Sequence, residues 1–302
     1  MPSRNRLRIA TRASRLARWQ ADRVGALLGG TVEYVLVQTQ GDVDQTSELH
    51  RIGGQGVFVK EVQQAVLDGR ADLAVHSAKD LPSQAAPGLV IAAVPERADP
   101  RDALVGATLD AIPTGGRVGT GSVRRRAQLA AARPDLGFGA LRGNIETRLR
   151  KLDDEGFDAI VVAYAALDRL GLTDRVAEVL EPSVLLPQVA QGALAVECRR
   201  DDDDTRARLA AIDDEIAHRA VRAERAFLAD LGGGCDLPCG ALATITGDTI
   251  TMDALLASLD GHVVLRTTVE GADPVDVGTG AADELLDGCG GRALLAIEEV
   301  GA

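Results

Sequence analysis

The sequence predicts an α/β protein built as two similar halves and finished by a smaller α+β segment. Three observations lead there. Strand-like and helix-like apolar periods alternate over about residues 7–75 and again over residues 117–163. Between them, the pattern breaks into charge and proline at Glu96-Arg97-Ala98-Asp99-Pro100-Arg101-Asp102, a point where the chain crosses between domains. Beyond residue 240, strand patterns follow one another directly, separated by Gly247-Asp248 and Asp260-Gly261 turns, as antiparallel hairpins require.

In the first half, residues 7–10 read as a strand, and Ser14 is placed to cap a helix running to about residue 28. A strand over 32–39 and a helix over 56–67 follow, the helix entered through Gly53-Gly54-Gln55-Gly56, with Phe58 as a core or lid aromatic. Asp72-Leu73-Ala74-Val75 is a short buried strand. Pro82 biases Leu81 away from the helical region, so His76, Lys79 and Asp80 are expected on a loop at the strand's end. The bland reading of His-x-x-Lys-Asp is a solvated turn.

The second half repeats the plan with strands at 117–119, 137–141 and 158–163 and helices at 122–132 and 145–154. A strand at 193–198 and an acidic break at 199–204 lead into a long helix over 213–231, whose apolar stripe is Ile216, Ala220, Ala223, Phe227 and Leu231. Strands at 241–246, 249–256 and 262–269 come next, and a closing helical segment begins near 281.

Hydrophobic residues at 46% fit a globular chain with a large core, and aromatics at 2% leave that core to Leu, Val, Ile and Ala. Acids outnumber bases by 45 to 33, for a net charge of −12, and the only lysines are Lys60, Lys79 and Lys151. This acidic balance argues against nonspecific nucleic-acid binding, which draws on phosphate neutralisation by Lys and Arg. It also resembles proteins of a high-salt cytoplasm, although a GC-rich genome gives part of the same bias. No apolar run is long enough to span a membrane, and the Arg-dotted start lacks a signal peptide's apolar block, so a cytoplasmic protein is expected. Four cysteines in so long a chain make no disulfide framework.

Three arginine-bearing motifs fall at strand-to-helix junctions: Thr11-Arg12-Ala13-Ser14, Gly119-Thr120-Gly121-Ser122-Val123-Arg124-Arg125-Arg126 and Leu141-Arg142-Gly143-Asn144. Free N–H groups at a helix start and a planar guanidinium both favour anions, so the set predicts a ligand with several acidic groups. The alternative for any one of them is a solvated charge or a salt bridge to the abundant carboxylates. Gly119-x-Gly121 lacks the third glycine of a dinucleotide fingerprint and the Gly-Lys-Ser/Thr of a P-loop. Cys235, in Gly233-Gly234-Cys235-Asp236-Leu237-Pro238-Cys239, is a candidate for covalent use, whereas Cys198 and Cys289 read as buried inert thiols. Zinc is not expected, because histidine is too rare and remote to complete a ligand set.

Taken together the motifs resemble the porphobilinogen deaminase family over nearly the whole chain. Those that carry the resemblance are Ile9 to Ser14, Trp19-Gln20-Ala21, Gly56-Val57-Phe58-Val59-Lys60-Glu61, Arg70 to Asp80, Asp99-Pro100-Arg101-Asp102-Ala103, Gly119 to Arg125, Leu141 to Asn144 with Thr147-Arg148-Leu149, Gln191-Gly192-Ala193 and Gly233-Gly234-Cys235. The resemblance implies two periplasmic-binding-protein-like (type II) domains around a cleft, residues 1–97 with 193–213 and residues 98–192, plus a C-terminal domain at 214–302 that carries the cofactor. It implies an enzyme of tetrapyrrole biosynthesis that joins four porphobilinogen molecules into hydroxymethylbilane with release of ammonia. The primer would be a dipyrromethane in thioether linkage to Cys235, and Asp80 would be catalytic, its carboxylate steadying the cation left by ammonia loss. Lys79, Thr120, Ser122, Arg124 and Arg125 would hold the cofactor, and Arg12, Ser14, Arg142, Arg148, Arg169 and Gln191 the substrate. A monomer is implied, with no nucleic-acid or membrane partner.

Three positions depart from the family pattern. Gln55 stands where lysine is common, Gly121 replaces a common serine, and Cys239 adds a competing thiol. A two-lobed solute receptor would share the fold without needing Asp80 or Cys235, and a cysteine-nucleophile transferase for another acidic substrate would use them differently.

Overall fold

A computed structural model describes residues 6–38, 59–232 and 237–301. By contacts the chain divides into two compact units, Met1–Ala98 with Gly192–His218 and Asp99–Gln191 with Arg219–Ala302.

The first unit is a five-stranded sheet of order β2-β1-β3-β10-β4, formed by β1 (Arg6–Arg12), β2 (Thr31–Val37), β3 (Leu73–Ser77), β4 (Leu89–Ala93) and β10 (Leu194–Arg199). Strands β2, β1 and β3 run parallel, and β10 is antiparallel to both its neighbours. Alternate residues of a strand face opposite sides, so a sheet covered on both faces needs continuous apolar runs. Leu73-Ala74-Val75 is such a run. Leu73 and Val75 join Ile9, Val196 and helix α1 (Arg15–Leu28), while Ala74 joins Ala10 and helix α2 (Lys60–Leu67) on the other face. As the sequence predicts, Ser14 caps α1, its hydroxyl accepting from the Ala17 N–H.

The second unit repeats this order as β7-β6-β8-β5-β9, with β5 (Asp102–Val105), β6 (Arg117–Gly119), β7 (Gly137–Gly139), β8 (Ala159–Ala163) and β9 (Val176–Leu180). Here β7, β6 and β8 are parallel and β5 is the antiparallel member. Helices α3 (Val123–Ala132) and α4 (Ile145–Asp154) start from side-chain caps on Ser122 and Asn144. Helix α5 (Tyr164–Arg169) follows β8 directly.

Two stretches differ from expectation. The strand at 73–77 extends through His76 and Ser77, because β10 pairs with it as far as Ser77, and only Lys79 and Asp80 lie beyond, in a single 3₁₀ turn at Ala78–Asp80. The acidic break conceals helix α6 (Asp203–Leu209), capped by Asp202 and opened by two acids, as a helix N-terminus favours.

Helix α7 (Glu215–Asp230) buries the predicted stripe from Ala220 onward, but Ile216, in its first turn, is 61% exposed. Strands β11 (Cys239–Thr246), β12 (Thr249–Ala257) and β13 (Val264–Gly271) form the antiparallel sheet, in which Leu255 and Ala257 meet Ala127 of α3. The closing helical region starts earlier than predicted, with Pro274 in the first turn of α8 (Pro274–Asp283), followed by α9 (Gly291–Gly301). Among the described residues no helix is long and apolar enough to cross a membrane.

Candidate active site

The predicted site residues gather at one edge of each sheet, where the parallel strands end. Ligands of open α/β sheets bind at that edge, where the following loops supply chemistry. In the first unit Arg12 ends β1, Ser14 caps α1, and Lys79 and Asp80 follow β3. Asp80 is exposed, which leaves its carboxylate able to meet a ligand. Arg12, Gln20, His76, Ser77 and Asp80 line a common cavity of about 30 Å³, room for a water-sized molecule. Gln20 Nε2 donates to Ser77 Oγ at 2.8 Å, which ties α1 to the end of β3.

Beneath this lies a polar group that sequence order does not reveal. His76 is 6% and Glu197 2% exposed, and their Nε2 and Oε2 atoms stand 3.2 Å apart. The contact is not a hydrogen bond, and among the described residues His76 Nε2 is a buried nitrogen with no hydrogen-bond partner. Glu197 Oε2 accepts from Gln63 Nε2 at 2.9 Å.

In the second unit the arginines expected to hold anions are not solvated. Arg124 and Arg125 are 3% and 6% exposed, and both reach Asp102, which is fully buried. Arg124 Nη2 donates to Asp102 Oδ2 at 2.8 Å, and Arg125 donates to Oδ1 from Nε at 3.1 Å and Nη2 at 2.7 Å. Gln191 Nε2 adds a bond to Oδ1 at 2.9 Å. Arg124 Nη1 and Arg125 Nη1 are spent on the carbonyls of Leu186 and Val161. Burial pushes the Asp102 carboxyl up, but the two guanidinium groups outweigh it and hold it well below the usual carboxylate range.

One carboxylate against two guanidinium groups leaves this cluster with an excess positive charge. Among the described residues of the unit two donors remain unused: Arg124 Nε and Arg142 Nη1 are both buried without a hydrogen-bond partner. Buried donors of this kind are costly unless a ligand satisfies them. Arg142 sits before Gly143, whose φ of 114° is open to glycine, and Arg148 of α4 donates from Nε to the Gly143 carbonyl at 2.8 Å. The loop from Thr120 to Ser122 lies alongside: a Cβ on Gly121 would stand 2.8 Å from the Leu141 carbonyl oxygen. Thr120 Oγ1 accepts from the Ser122 N–H, and Ser122 Oγ from the Arg125 N–H, so both hydroxyls shape the start of α3. Arg169 ends α5, 8% exposed, and burial lowers its pKa to about 10 against the opposing pull of Asp168.

Cys235 and the loop at 53–58, with Gln55 and Phe58, lie outside the described residues. Cys198 is buried, and burial, helped by Asp202, pushes its thiol up to about 11; Cys289 is only half-buried, contrary to expectation. Sequence reasoning missed Asp102, Gln20, Gln63 and Glu197 as members of the site. The first two stood inside quoted motifs, but nothing local marks Asp102 as the partner of arginines 22 and 23 positions further on.

Comparison with known proteins agrees with these motifs. Residues 7–207 match the family model described as porphobilinogen deaminase, dipyromethane cofactor binding domain, and residues 218–287 match that of the porphobilinogen deaminase C-terminal domain. A porphobilinogen deaminase of Roseiflexus sp. (strain RS-1) is 51% identical over 95% of this chain and 98% of its own length. One of Syntrophotalea carbinolica is 47% identical over 98% and 97%. Among solved structures, the periplasmic VFT2 domain of Bordetella pertussis BvgS is 16% identical over 69% of this chain and 86% of its own, with a TM-score of 0.41, too weak a likeness to build on. The matches cover both units and nearly every residue between them, and the chain belongs to the porphobilinogen deaminase family.

Proposed function

We propose that this chain is a hydroxymethylbilane synthase, which joins four porphobilinogen molecules head to tail with loss of ammonia at each step, in tetrapyrrole biosynthesis. The observation that carries this reading is the excess buried charge of the second unit. Two guanidinium groups share the carboxylate of Asp102, and among the described residues Arg124 Nε and Arg142 Nη1 stand buried without hydrogen-bond partners. Such a cluster suits ligands that carry several carboxylates, as porphobilinogen and a dipyrromethane do, with an acetate and a propionate on each ring.

The dipyrromethane, bound as a thioether to Cys235, supplies the primer that the chain extends. Thr120, Ser122, Arg124, Arg125 and Lys79 would hold its carboxylates, the hydroxyls by fixing the loop, Lys79 and Arg124 by direct pairing, and Arg125 through the excess charge it brings to the Asp102 cluster. Arg12, Ser14, Arg142, Arg148, Arg169 and Gln191 would bind and orient substrate. Gln191 does so at one remove, through its bonds to Pro100 and Asp102. Asp80, the exposed carboxylate at the end of β3, faces the cation left on porphobilinogen when ammonia departs, and a fixed negative charge there lowers the barrier to its formation.

The division into domains at 1–97 with 193–213, 98–192 and 214–302 belongs to the same proposal, and the separate family match at 218–287 supports its last member. So do a monomeric state, a cytoplasmic location, and the absence of nucleic-acid and membrane partners, which the net charge of −12 supports for anionic surfaces. Intact-mass measurement of the denatured protein tests the attachment: an added mass equal to a dipyrromethane, mapped to Cys235, is expected, and an unmodified chain in active preparations would defeat it. Asp80→Asn is expected to leave the fold intact and nearly abolish bilane formation. Wild-type turnover in that variant would remove Asp80 from the mechanism.

A further inference from the structure

His76 and Glu197 are used by nothing described so far, yet burying them is costly. A carboxylate and an imidazole sit almost wholly buried, with a ring nitrogen that makes no hydrogen bond. Buried polar groups left incompletely paired cost stability, and they persist where they serve a reaction. The backbone contributes as well. Strand β10 shifts register against β4 between Val196 and Glu197, an irregularity of the kind that re-aims a side chain. His76 shares the small cavity with Asp80, so the buried imidazole and the exposed carboxylate meet one water-sized space, while Glu197 stands behind the imidazole, off the cavity wall.

We infer that His76 is a proton acceptor for the condensation and that Glu197 is the residue that positions it; this rests on the function proposed above. In each elongation the bond from the aminomethyl carbon to nitrogen breaks, and its electron pair leaves with ammonia. The terminal ring, a substrate-derived pyrrole from the second unit onward, supplies the pair for the new carbon–carbon bond from its α-carbon. The C–H bond of that α-carbon then breaks, its electrons restore the ring, and a proton is released. No oxidant or reductant enters, so a base completes the step. Asp80 is poorly suited to be that base, since taking the proton would cancel the charge that steadies the next cation. His76 can take it through a water in the shared cavity. The imidazolium so formed lies 3.2 Å from Glu197, whose own charge it balances. Among the described residues, Glu197 from β10 stands against His76, and Arg12 from β1, Asp80 from the turn after β3 and neutral Gln20 from α1 share its cavity, while Gln63 from α2 bonds to Glu197.

The test is steady-state bilane formation across pH by the full-length, cofactor-loaded protein and its His76→Gln variant. General-base catalysis contributes about 10²–10⁴-fold, so His76→Gln is expected to lower kcat at least ~10-fold, leave KM within about threefold, and lose the limb of the profile that rises with pH. A folded variant with wild-type kcat and an unchanged rising limb overturns the inference. Should the variant fail to fold, ¹⁵N titration of His76 in the wild-type protein decides. Protonation that follows the rising limb, and moves to lower pH in Glu197→Gln, supports the inference, and an imidazole that holds one protonation state over the active range overturns it. A wild-type chain that makes no bilane at all would overturn the proposed function instead.

Discussion

Replacing Asp102 by asparagine tests the central packing feature of the second unit. The substitution keeps the volume but removes the carboxylate that pairs with two buried guanidinium groups, at 2.8 and 2.7 Å. Breaking a buried ion pair by removing one partner costs about 3–5 kcal/mol, because the remaining charge stays desolvated. For a unit of this size, that corresponds to a fall in Tm of roughly 6–20 °C. The assay is thermal and urea unfolding of the wild type and Asp102→Asn, with the exposed Asp154→Asn as a control expected within about 0.5 kcal/mol of wild type.

The pH dependence has a definite sign. The Asp102 carboxyl is held far below its ordinary value in the folded state, so its contribution is complete above the unfolded pKa of about 4 and fades only as pH falls further toward the folded value. The gap between wild type and variant should therefore be constant at neutral pH and close in strong acid. A loss under about 1 kcal/mol at neutral pH would refute the reasoning.

Two further outcomes follow from the same packing. Gly121→Ser, which restores the residue common at this position in the family, should destabilise the chain by about 1–3 kcal/mol, since its Cβ would stand 2.8 Å from the Leu141 carbonyl; equal or greater stability in chemical denaturation would show that the loop yields freely. Cys198, fully buried and with its thiol pushed up to about 11, should resist alkylation at neutral pH until the protein unfolds, and rapid labelling of native protein, read by peptide mass mapping, would contradict that.

Much of this arrangement is legible in the sequence because it is local. Ser14, Ser122 and Asn144 announce helix starts through caps that depend on residues three positions away, and all three helices begin where expected. The arginines at these starts were expected to bind anions, but Arg124 and Arg125 turn inward to Asp102, the salt-bridge alternative that the same motif allowed. Strands of four or five residues were harder to see. β5 opens inside the charged Asp-Pro-Arg-Asp stretch, and only its antiparallel pairing with β8 and β9 makes it a strand. The partners of the site residues were least legible. Asp102 meets Arg124 from 22 positions away, and Glu197 meets Gln63 from 134 away, through sheet order that no local period encodes. Ile216 shows the converse, a residue in phase with the stripe of its helix that the first turn leaves exposed.

The reaction itself is tested most directly by supplying purified protein with porphobilinogen and counting products. Hydroxymethylbilane and ammonia should appear in a one-to-four ratio in the wild type, and both should be lost together in Asp80→Asn. Consumption of porphobilinogen without a linear tetrapyrrole, or no consumption by protein carrying its dipyrromethane, would contradict the account.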